Sequence, residues 1–337
     1  MRVVFAETAS WERRYLARAL KHTGLSAHFV TEPLTEPVLA KVRGASVVSV
    51  FIYSRLTRSL IGRLRGVRLI ATRSTGFDHI DLDACRLKHI AVANVPSYGE
   101  NTVAEHTFAL ILALSRNVHK AFVRTVKGDF SLTGLQGFDL KGKTIGVVGA
   151  GRIGLHVVKM AKGFGMEVLA YDVRKDAFMS EVLDFRYAPL ADVLRASDIV
   201  SLHVPYSPAT HHLMNRDTFR LMKRGALLIN TARGGLVDTH ALVWALDQGL
   251  VGGAGLDVLE GEELVKEERQ LLEKEFPKER LITALKNHIL LHRENVVITP
   301  HIAFDSREAL QRILETTVTN IVGFLHGSPM NLVSKHP

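Results

Sequence analysis

Cysteine is nearly absent from this sequence, and long hydrophobic runs are absent altogether. With Cys85 as its one cysteine, the chain cannot form an internal disulfide or supply a cysteine-based metal cluster. No uninterrupted apolar segment reaches the roughly 20 residues that a membrane-spanning helix needs. The opening residues Met1–Phe5 have the pattern of a strand and contain no hydrophobic region of a signal peptide. We therefore expect a soluble, cytoplasmic protein without a metal site.

Acidic residues are also in short supply, which leaves a formal net charge of +9. Positive charge favours anionic partners, and a dinucleotide or a small carboxylate meets that condition. The basic residues are scattered, and their densest groups, Arg13-Arg14 and 63–68, are typical of a solvated surface. We expect neither a nucleic-acid nor a membrane partner. At 337 residues the chain is long enough for two domains.

The segment 143–172 carries the most informative pattern. A short apolar run rich in β-branched residues, Thr144–Val148, predicts a buried parallel strand. It leads into Gly-Ala-Gly-Arg-Ile-Gly at 149–154, and a helical pattern follows. A second strand, 166–171, then ends at Asp172. A G-x-G-x-x-G between a strand and a helix, with an acid beyond, predicts a dinucleotide-binding unit.

Each glycine of this motif has its own physical reason. Gly149 permits the tight turn after the strand, and Gly151 lets the backbone approach a pyrophosphate. Gly154 lets the helix pack closely on the strand. The N-terminus of the helix then offers unpaired N–H groups and the positive end of its dipole to the phosphates.

Asp172 indicates which dinucleotide is bound. It lies 18 residues beyond Gly154, where an acceptor for the adenosine ribose hydroxyls belongs. A carboxylate there would repel a 2′-phosphate, so NAD is favoured. Arg174 and Lys175 follow closely and can partly offset the repulsion, so NADP stays an alternative.

Strand and helix patterns alternate on both sides of this motif, which predicts parallel α/β domains. Residues 1–100 form such a unit without a glycine-rich phosphate turn of their own. Asn101–Lys120 is predicted as one long connecting helix, capped by Thr102. Residues 263–294 are charged and helical, and Ser306–Leu325 is a final amphipathic helix.

Three ionisable residues follow predicted strands, where an open parallel sheet binds its ligands. Arg233 follows the strand 226–230, and its planar guanidinium can hold a carboxylate through two hydrogen bonds. His301 follows the last strand, and an imidazole is the usual group for exchanging a proton near pH 7. Glu262 follows the strand that ends at Val258, and a carboxylate beside His301 would orient its ring.

Taken singly, each of these residues has a plainer explanation. Arg233 can be a surface arginine, His301 one structural histidine among 16, and Glu262 one of several acids in 260–263. Together with a nicotinamide-binding fold, they describe a 2-oxo acid reductase. The arginine would anchor the carboxylate, the histidine would protonate the ketone oxygen, and the cofactor would deliver hydride.

Seven sequence motifs support this hypothesis, in the order Arg73–Asp81, Val95–Tyr98 with Ala104–His106, Gly149–Gly154, His203–Pro205, Asn230–Gly234, Gly255–Val258 and Thr299–Ala303. With them the chain resembles the D-isomer-specific 2-hydroxyacid dehydrogenases over essentially its whole length. Within that family it is most similar to the D-lactate dehydrogenase branch. The resemblance implies hydride transfer between NADH and pyruvate, and we expect a homodimer formed through the NAD-binding domain.

The resemblance also implies a fold. Two Rossmann- or flavodoxin-like parallel-sheet domains would have a cleft between them and be joined by two long hinge helices. Residues 1–100 and 305–337 would form the substrate domain, and 101–304 the NAD-binding domain, with a helical insert at 263–294. Substrate would bind in the cleft, and closure would exclude water.

The same resemblance assigns residues to roles. Arg233 would bind the substrate carboxylate, His301 would act as acid and base, and Glu262 would be the partner of His301. Further substrate contacts would come from the backbone of Thr75 and Gly76 and from the side chains of Tyr98 and Phe304. The implied cofactor contacts are Gly149, Gly151, Arg152, Ile153, Gly154, Asp172, His203, Val204, Pro205, Thr210, Thr231, Ala232, Arg233, Asp257 and His301.

Some features bear on the branch of the family. An aromatic residue at Phe304 resembles the lactate branch, whereas the glyoxylate and phosphoglycerate branches usually carry a small residue there. Thr75 stands where phosphite-oxidising relatives have lysine, which disfavours that activity. Two departures concern Glu262: the 39-residue interval to His301 is longer than in many members, and Glu263 replaces the usual proline.

Two alternatives remain open. The first is a dehydrogenase of another D-2-hydroxy acid, derived from a larger 2-oxo acid or from glyoxylate or hydroxypyruvate. One methyl group in an apolar pocket changes binding by only ~1–3 kcal/mol, so the sequence does not decide the substrate. The second is an NAD-sensing binding protein like the transcriptional corepressors of the same fold. Those proteins tend to carry long disordered extensions, and we expect an enzyme.

Overall fold

The computed structural model describes residues 1–261 and 278–333. The strands in these residues are β1 (Arg2–Phe5), β2 (Ser26–Phe29), β3 (Val47–Val50), β4 (Leu69–Thr72), β5 (Ala91–Ala93), β6 (Thr144–Val148), β7 (Glu167–Tyr171), β8 (Arg186–Tyr187), β9 (Ile199–Leu202), β10 (Ala226–Asn230), β11 (Val251–Leu256) and β12 (Val296–Ile298). The α-helices are α1 (Ser10–Ala19), α2 (Arg58–Arg63), α3 (Leu82–Leu87), α4 (Glu100–Ser115), α5 (Val118–Val126), α6 (Arg152–Gly163), α7 (Ala177–Val182), α8 (Leu190–Ala196), α9 (Arg216–Leu221), α10 (Thr239–Asp247), α11 (Lys278–Leu291) and α12 (Arg307–Leu325). Short 3₁₀-helices cover Glu36–Val42 and Gly234–Leu236.

The chain divides into two compact units. The first comprises Met1–Gly99 and Ser306–Pro337, of which 334–337 lie outside the described residues. The second comprises Glu100–Asp305, of which 262–277 lie outside them. Each unit contains one sheet of parallel strands, so the prediction of two parallel α/β units is confirmed.

The sheet of the first unit has the strand order β2-β1-β3-β4-β5, which is the flavodoxin-like order. Side chains alternate between its two faces, as the period of a strand requires. Val3 and Phe5 share a core with α1 and α12, whereas Val4 shares the opposite core with α2 and α3. Cys85 is buried in this second core, and burial raises the pKa of its thiol to about 11, so the thiol stays protonated and unreactive.

Arg73 is a buried cation just beyond the end of β4. Its Nη1 donates to Ser49 Oγ at 3.1 Å, and its Nη2 donates to the carbonyl oxygens of Ala6 and Glu7 at 2.7 and 2.8 Å. Its Nε lies 3.7 Å from a carboxylate oxygen of Glu12. A buried charge is tolerated only when its donors are satisfied in this way. Arg73 therefore fixes the carboxyl ends of β1, β3 and β4.

The sheet of the second unit has the order β12-β11-β10-β9-β6-β7-β8. If β6 to β11 are numbered 1 to 6 along the chain, their order across the sheet, starting from β8, is 3-2-1-4-5-6, as in dinucleotide-binding units. The chain leaves β6 toward β7 and β8 and then crosses back to β9 on the other side of β6. The order therefore reverses beside β6, and ligands bind at such a reversal, outside the carboxyl ends of the strands.

The prediction of a single helix over Asn101–Lys120 is wrong. The chain forms α4 and α5 instead, and the break lies at Asn117, whose backbone is left-handed with φ of 51°. Asparagine tolerates this conformation better than most residues, and its N–H donates to Leu114 O to close the last turn of α4. Thr102 is buried within α4 and does not cap it.

Two further stretches differ from the expectation or lie beyond it. The sequence pattern did not separate α7, β8 and α8, which occupy the chain between β7 and β9. Of the predicted insert 263–294, the second half contains α11, and 263–277 lie outside the described residues. Among the residues that are described, no helix combines the length and the apolar character needed to cross a membrane.

Candidate functional site

The predicted site residues of the second unit follow the carboxyl ends of parallel strands, which all lie at one edge of the sheet. They follow β6, β7, β9, β10, β11 and β12. The edge is therefore built from short connecting loops, and the hydrogen bonds within these loops decide where each side chain lies.

The turn between β6 and α6 has the geometry that a dinucleotide requires. Gly149 has φ of 101°, and a Cβ there would lie 2.7 Å from the backbone of His203. A Cβ at Gly154 would lie 2.0 Å from Gly149 O, so helix and turn pack too closely for any side chain. A Cβ built on Gly151, in contrast, would have no neighbouring atom within 4 Å, so the space beside this residue is open.

The N-terminus of α6 is open to an anion. Gly151 is its N-cap and provides no side-chain cap, so the first N–H groups of the helix are available. Arg152 and Ile153 are the first two helical residues. Arg152 Nη1 lies 3.4 Å from Glu100 Oε1 in an exposed ion pair that a phosphate group can replace. Open space, free donors and a cation fit the pyrophosphate of NAD.

Asp172 supports the same turn from the end of β7. One carboxylate oxygen accepts the N–H of Ala150 and the other accepts the N–H of Arg174, both at 2.8 Å. Each oxygen keeps a further lone pair, so the group can still accept from ribose hydroxyls. Asp172 therefore lies beside the glycine-rich turn, and its contact with the ribose stays a prediction.

The loop after β9 contains His203, Val204, Pro205 and Thr210. His203 Nε2 lies 2.8 Å from Ser201 Oγ, and burial lowers the pKa of His203 to about 3. The ring is therefore neutral at physiological pH. Thr210 Oγ1 donates to Pro205 O at 2.7 Å and ties the loop to itself.

The loop after β10 contains Thr231, Ala232 and Arg233. The buried Asn230 fixes this turn, because its Oδ1 accepts the N–H of Ala232 at 3.0 Å and its Nδ2 donates to Arg233 O at 2.9 Å. Arg233 Nη1 donates to Ala232 O at 2.7 Å. A Cβ at Gly234 would lie 2.1 Å from Leu259 O, so the turn packs directly on the loop after β11.

The loops after β11 and β12 meet at Asp257, which is 1% exposed. Its carboxylate accepts the hydroxyl of Thr299 at 2.6 Å and the N–H groups of Ile302 and Ala303 at 2.9 Å. The burial and these bonds make Asp257 a support of the loop that contains His301. Its predicted cofactor contact stays a prediction.

His301 has a left-handed backbone, with φ of 58°. Its N–H donates to Asp257 O at 2.8 Å and to Thr299 O at 2.9 Å, which holds this unusual conformation. The ring of Phe304 meets the imidazole edge-on, with 6.3 Å between the ring centroids. Phe304 therefore lies beside the imidazole, and its predicted contact with the substrate stays a prediction.

Glu262 lies outside the described residues, so its pairing with His301 stays a prediction. The acid two positions earlier, Glu260, is engaged elsewhere. Its Oε1 lies 2.6 Å from His212 Nε2, and its Oε2 accepts the hydroxyl of Thr239 at 3.0 Å. These bonds fasten the end of the β11 loop to two neighbouring segments.

Thr75, Gly76 and Tyr98 belong to the first unit. Thr75 Oγ1 donates to Val95 O at 2.7 Å, and Thr75 O accepts from Asn94 Nδ2 at 2.8 Å. Gly76 O accepts from Ser74 Oγ at 2.6 Å, so the loop is held at successive residues. Tyr98 O accepts a hydrogen bond from Arg312 Nε.

Sequence reasoning assigned no role to four polar residues that organise the second unit: His106 and Thr107 on α4, Asn230, and Thr299. His106 and Thr107 are adjacent on a helix whose other inward residues are mostly apolar. Polar residues inside an apolar helix pattern were the available signal, but the pattern does not say which segments they meet.

Comparison with known proteins identifies relatives over the whole chain. Residues 108–303 match the family model for "D-isomer specific 2-hydroxyacid dehydrogenase, NAD binding domain". The D-lactate dehydrogenase of Escherichia coli (strain K12) is 35% identical over 326 residues, covering 95% of this chain and 96% of that protein. The D-specific alpha-keto acid dehydrogenase of Enterococcus faecium is 39% identical over 307 residues, covering 89% and 90%. The crystal structure of D-lactate dehydrogenase from Aquifex aeolicus, complexed with NAD and lactic acid, is 39% identical with a TM-score of 0.89, covering 99% of this chain and 100% of that chain.

We expect Asp172→Ala to reduce the preference for NADH over NADPH. Loss of the carboxylate removes both the acceptor for the ribose hydroxyls and the repulsion of a 2′-phosphate. The dissociation constant of NADPH divided by that of NADH should therefore fall at least ~10-fold. Both constants are measured by the fluorescence of the bound dinucleotide. Asp192→Ala removes an exposed acid on α8 and should leave the ratio unchanged. An unaltered ratio in a folded Asp172→Ala protein would show that Asp172 does not contact the ribose.

Proposed function

Because the chain belongs to the D-isomer specific 2-hydroxyacid dehydrogenase family, we propose that it interconverts pyruvate and D-lactate. Membership of the family makes the chain an NAD-dependent oxidoreductase, and the choice of substrate is the proposed part. The relatives named D-lactate dehydrogenase, including a structure with lactic acid bound, support this choice.

One structural observation carries the proposal. Arg233 and His301 lie on the loops that follow β10 and β12, the two neighbours of β11 in the sheet. The loop after β11 contacts both, through Leu259 against Gly234 and through Asp257 against the residues around His301. A guanidinium and an imidazole are thus presented from the two loops that flank the loop after β11, at the ligand-binding edge of a dinucleotide-binding sheet.

The residues suit the two ends of a small 2-oxo acid. The Arg233 guanidinium binds the carboxylate, preferably through two parallel hydrogen bonds. His301 holds the proton that the ketone oxygen receives in reduction, and it accepts the hydroxyl proton in the reverse direction. When bound, NADH supplies the hydride to the carbonyl carbon. Glu262 is the proposed partner of the imidazole.

We assign cofactor binding to the second unit. Gly149, Gly151 and Gly154 shape the pyrophosphate turn, and the other cofactor contacts are those implied by the resemblance. We assign substrate contacts to Thr75, Gly76 and Tyr98 in the first unit and to Phe304 in the second. The edge-on packing of Phe304 on His301 leaves an aromatic wall beside the proton donor, which favours a small apolar group such as the methyl of pyruvate.

A larger 2-oxo acid is the second candidate substrate. The relative named D-specific alpha-keto acid dehydrogenase supports it, since that name does not specify lactate. The size of the substrate pocket distinguishes the two candidates, and the kcat/KM values for substrates of different size test it.

We expect pyruvate to give the highest kcat/KM in a panel with NADH that also contains hydroxypyruvate, glyoxylate, 2-oxoisocaproate and phenylpyruvate. The margin over phenylpyruvate should be at least ~10-fold, because a pocket that fits a methyl group excludes a benzyl group. The product should be the D-enantiomer on chiral chromatography. A preference for 2-oxoisocaproate would move the chain to the second candidate. NADH binding without its oxidation by any of these acids would overturn the proposed function.

We expect Arg233→Lys to raise the KM for pyruvate by ~10–100-fold, because lysine cannot form the paired hydrogen bonds to a carboxylate. The dissociation constant of NADH should change little, and it is measured by fluorescence. Arg224→Lys makes the same change at an exposed position of the second unit and should leave KM unaltered. Unchanged kinetics in Arg233→Lys would remove the proposed anchor.

We also propose that two copies of the chain associate through α5. Val118, Phe122 and Val126 recur every fourth residue and form one stripe, and they are 56%, 68% and 71% exposed. Phe130 and Leu132, in the segment that follows, are 78% and 84% exposed. Apolar side chains in such a concentration are typical of an interaction surface.

We expect a solution mass of about twice 37.3 kDa by light scattering, and Phe122→Glu should reduce it to that of one chain, because a buried charge opposes association. Phe178→Glu is the matched control, since Phe178 is 71% exposed on α7, away from the stripe. A native mass equal to one chain, or a Phe122→Glu protein that stays dimeric, would contradict this interface.

A further inference from the structure

His106 on α4 reaches the loop that contains His301. Its Nε2 lies 2.9 Å from Thr299 Oγ1 and 3.5 Å from Asp257 Oδ1. The Thr299 hydroxyl donates its one proton to Asp257, so its oxygen must accept from His106. The imidazole therefore has its proton on Nε2, and a directed chain of hydrogen bonds runs from α4 to the buried carboxylate.

That carboxylate supports the backbone directly after His301 and holds the side chain of Thr299 before it. It accepts the N–H groups of Ile302 and Ala303, while the N–H of His301 donates to the carbonyl oxygens of Asp257 and Thr299. A non-glycine residue with φ of 58° costs free energy and persists only where its surroundings hold it. Rotation of Thr299 or Asp257 would therefore displace the imidazole of His301.

Thr107, the next residue of α4, reaches the loop that contains Arg233. Its Oγ1 lies 2.9 Å from Thr231 Oγ1, and both side chains are buried. The Thr107 hydroxyl donates to Val103 O within α4, so it must accept from Thr231. This bond holds the first residue of the turn whose end is fixed by the bond between Asn230 and Arg233 O.

We propose that His106 and Thr107 are positioning residues that set the places of His301 and Arg233 respectively. The inference deepens the proposed function and rests on it, since it takes the imidazole as the proton donor and the guanidinium as the carboxylate anchor. One turn of a single helix thus reaches both loops, through two side chains to which the proposed function assigns no contact with substrate or cofactor. Each side chain acts on a different step.

The two roles predict different kinetic effects. Displacement of His301 impairs proton transfer, so His106→Leu should lower kcat by ~10–100-fold and change the KM for pyruvate less than ~3-fold. Displacement of Arg233 impairs carboxylate binding, so Thr107→Val should raise KM by ~5–10-fold and change kcat less than ~3-fold. A purely structural role would lower the amount of folded protein without separating the two constants.

Conservative variants provide the rescue. Glutamine keeps an N–H that can donate to Thr299, so the kcat of His106→Gln should be at least ~10-fold higher than that of His106→Leu. This factor corresponds to one hydrogen bond in a coupled network. Serine keeps the acceptor hydroxyl, so Thr107→Ser should have the wild-type KM. His240→Leu and Thr319→Val are matched controls, because both side chains are exposed. They should leave kcat and KM unchanged.

A readout independent of turnover tests the geometry directly. In protein labelled with ¹³C-histidine, the ring signal of His301, assigned through His301→Gln, should shift or broaden in His106→Leu. It should stay at its wild-type position in Thr107→Val and in His240→Leu. Thermal melting and NADH fluorescence establish that each variant is folded and binds the cofactor.

The outcomes separate this inference from the proposed function. If the wild-type protein reduces none of the 2-oxo acids, the proposed function fails, and the His301 signal alone decides whether His106 positions the ring. An unmoved His301 signal in His106→Leu overturns the inference. So does a pair of variants in which kcat and KM change together and by the same factor.

Discussion

The parallel direction of the strands in the second unit is the constraint on which its chemistry depends. Because β6, β9, β10, β11 and β12 all run the same way, their carboxyl ends bring distant parts of the chain to one edge. The reversal of strand order beside β6 leaves a crevice there, with an open helix N-terminus next to it. Sheet topology thus provides the place for a dinucleotide before any individual side chain is considered.

Within that edge, the buried carboxylate of Asp257 determines the local geometry. A buried charge is stable only when its lone pairs are satisfied, and here the donors come almost entirely from the loop after β12. The same residue uses its carbonyl oxygen to hold His301 in a left-handed conformation. Asp257 therefore receives the hydrogen bonds that stabilise its buried charge from the loop that contains His301, and it also fixes the shape of that loop.

The features that could be predicted from the sequence are those encoded over short distances. The turn from Gly149 to Gly154 and its supporting Asp172 lie within one strand–helix–strand segment, so spacing alone indicates their roles. The break at Asn117 was missed because apolar residues continue with helical spacing on both sides of it. The contact of His106 with Thr299 spans 193 residues, and no local pattern reports a contact of that kind. Strand ends can be predicted from periodicity, whereas the hydrogen bonds that orient the loops depend on the completed sheet.

The position of α4 explains why polar side chains persist on its inner face. The helix packs on α6 and against β10, β11 and β12, where apolar residues would contribute most to stability. A buried polar group left without a partner would cost about 1–3 kcal/mol, but His106 and Thr107 both have partners, and those partners lie in the loops that contain His301 and Arg233. An apolar residue at position 107 would satisfy the helix but remove the acceptor of the Thr231 hydroxyl, and one at position 106 would remove the donor to the Thr299 hydroxyl. Stability of the helix and order in the loops therefore favour different residues, and this chain has the residues that order the loops.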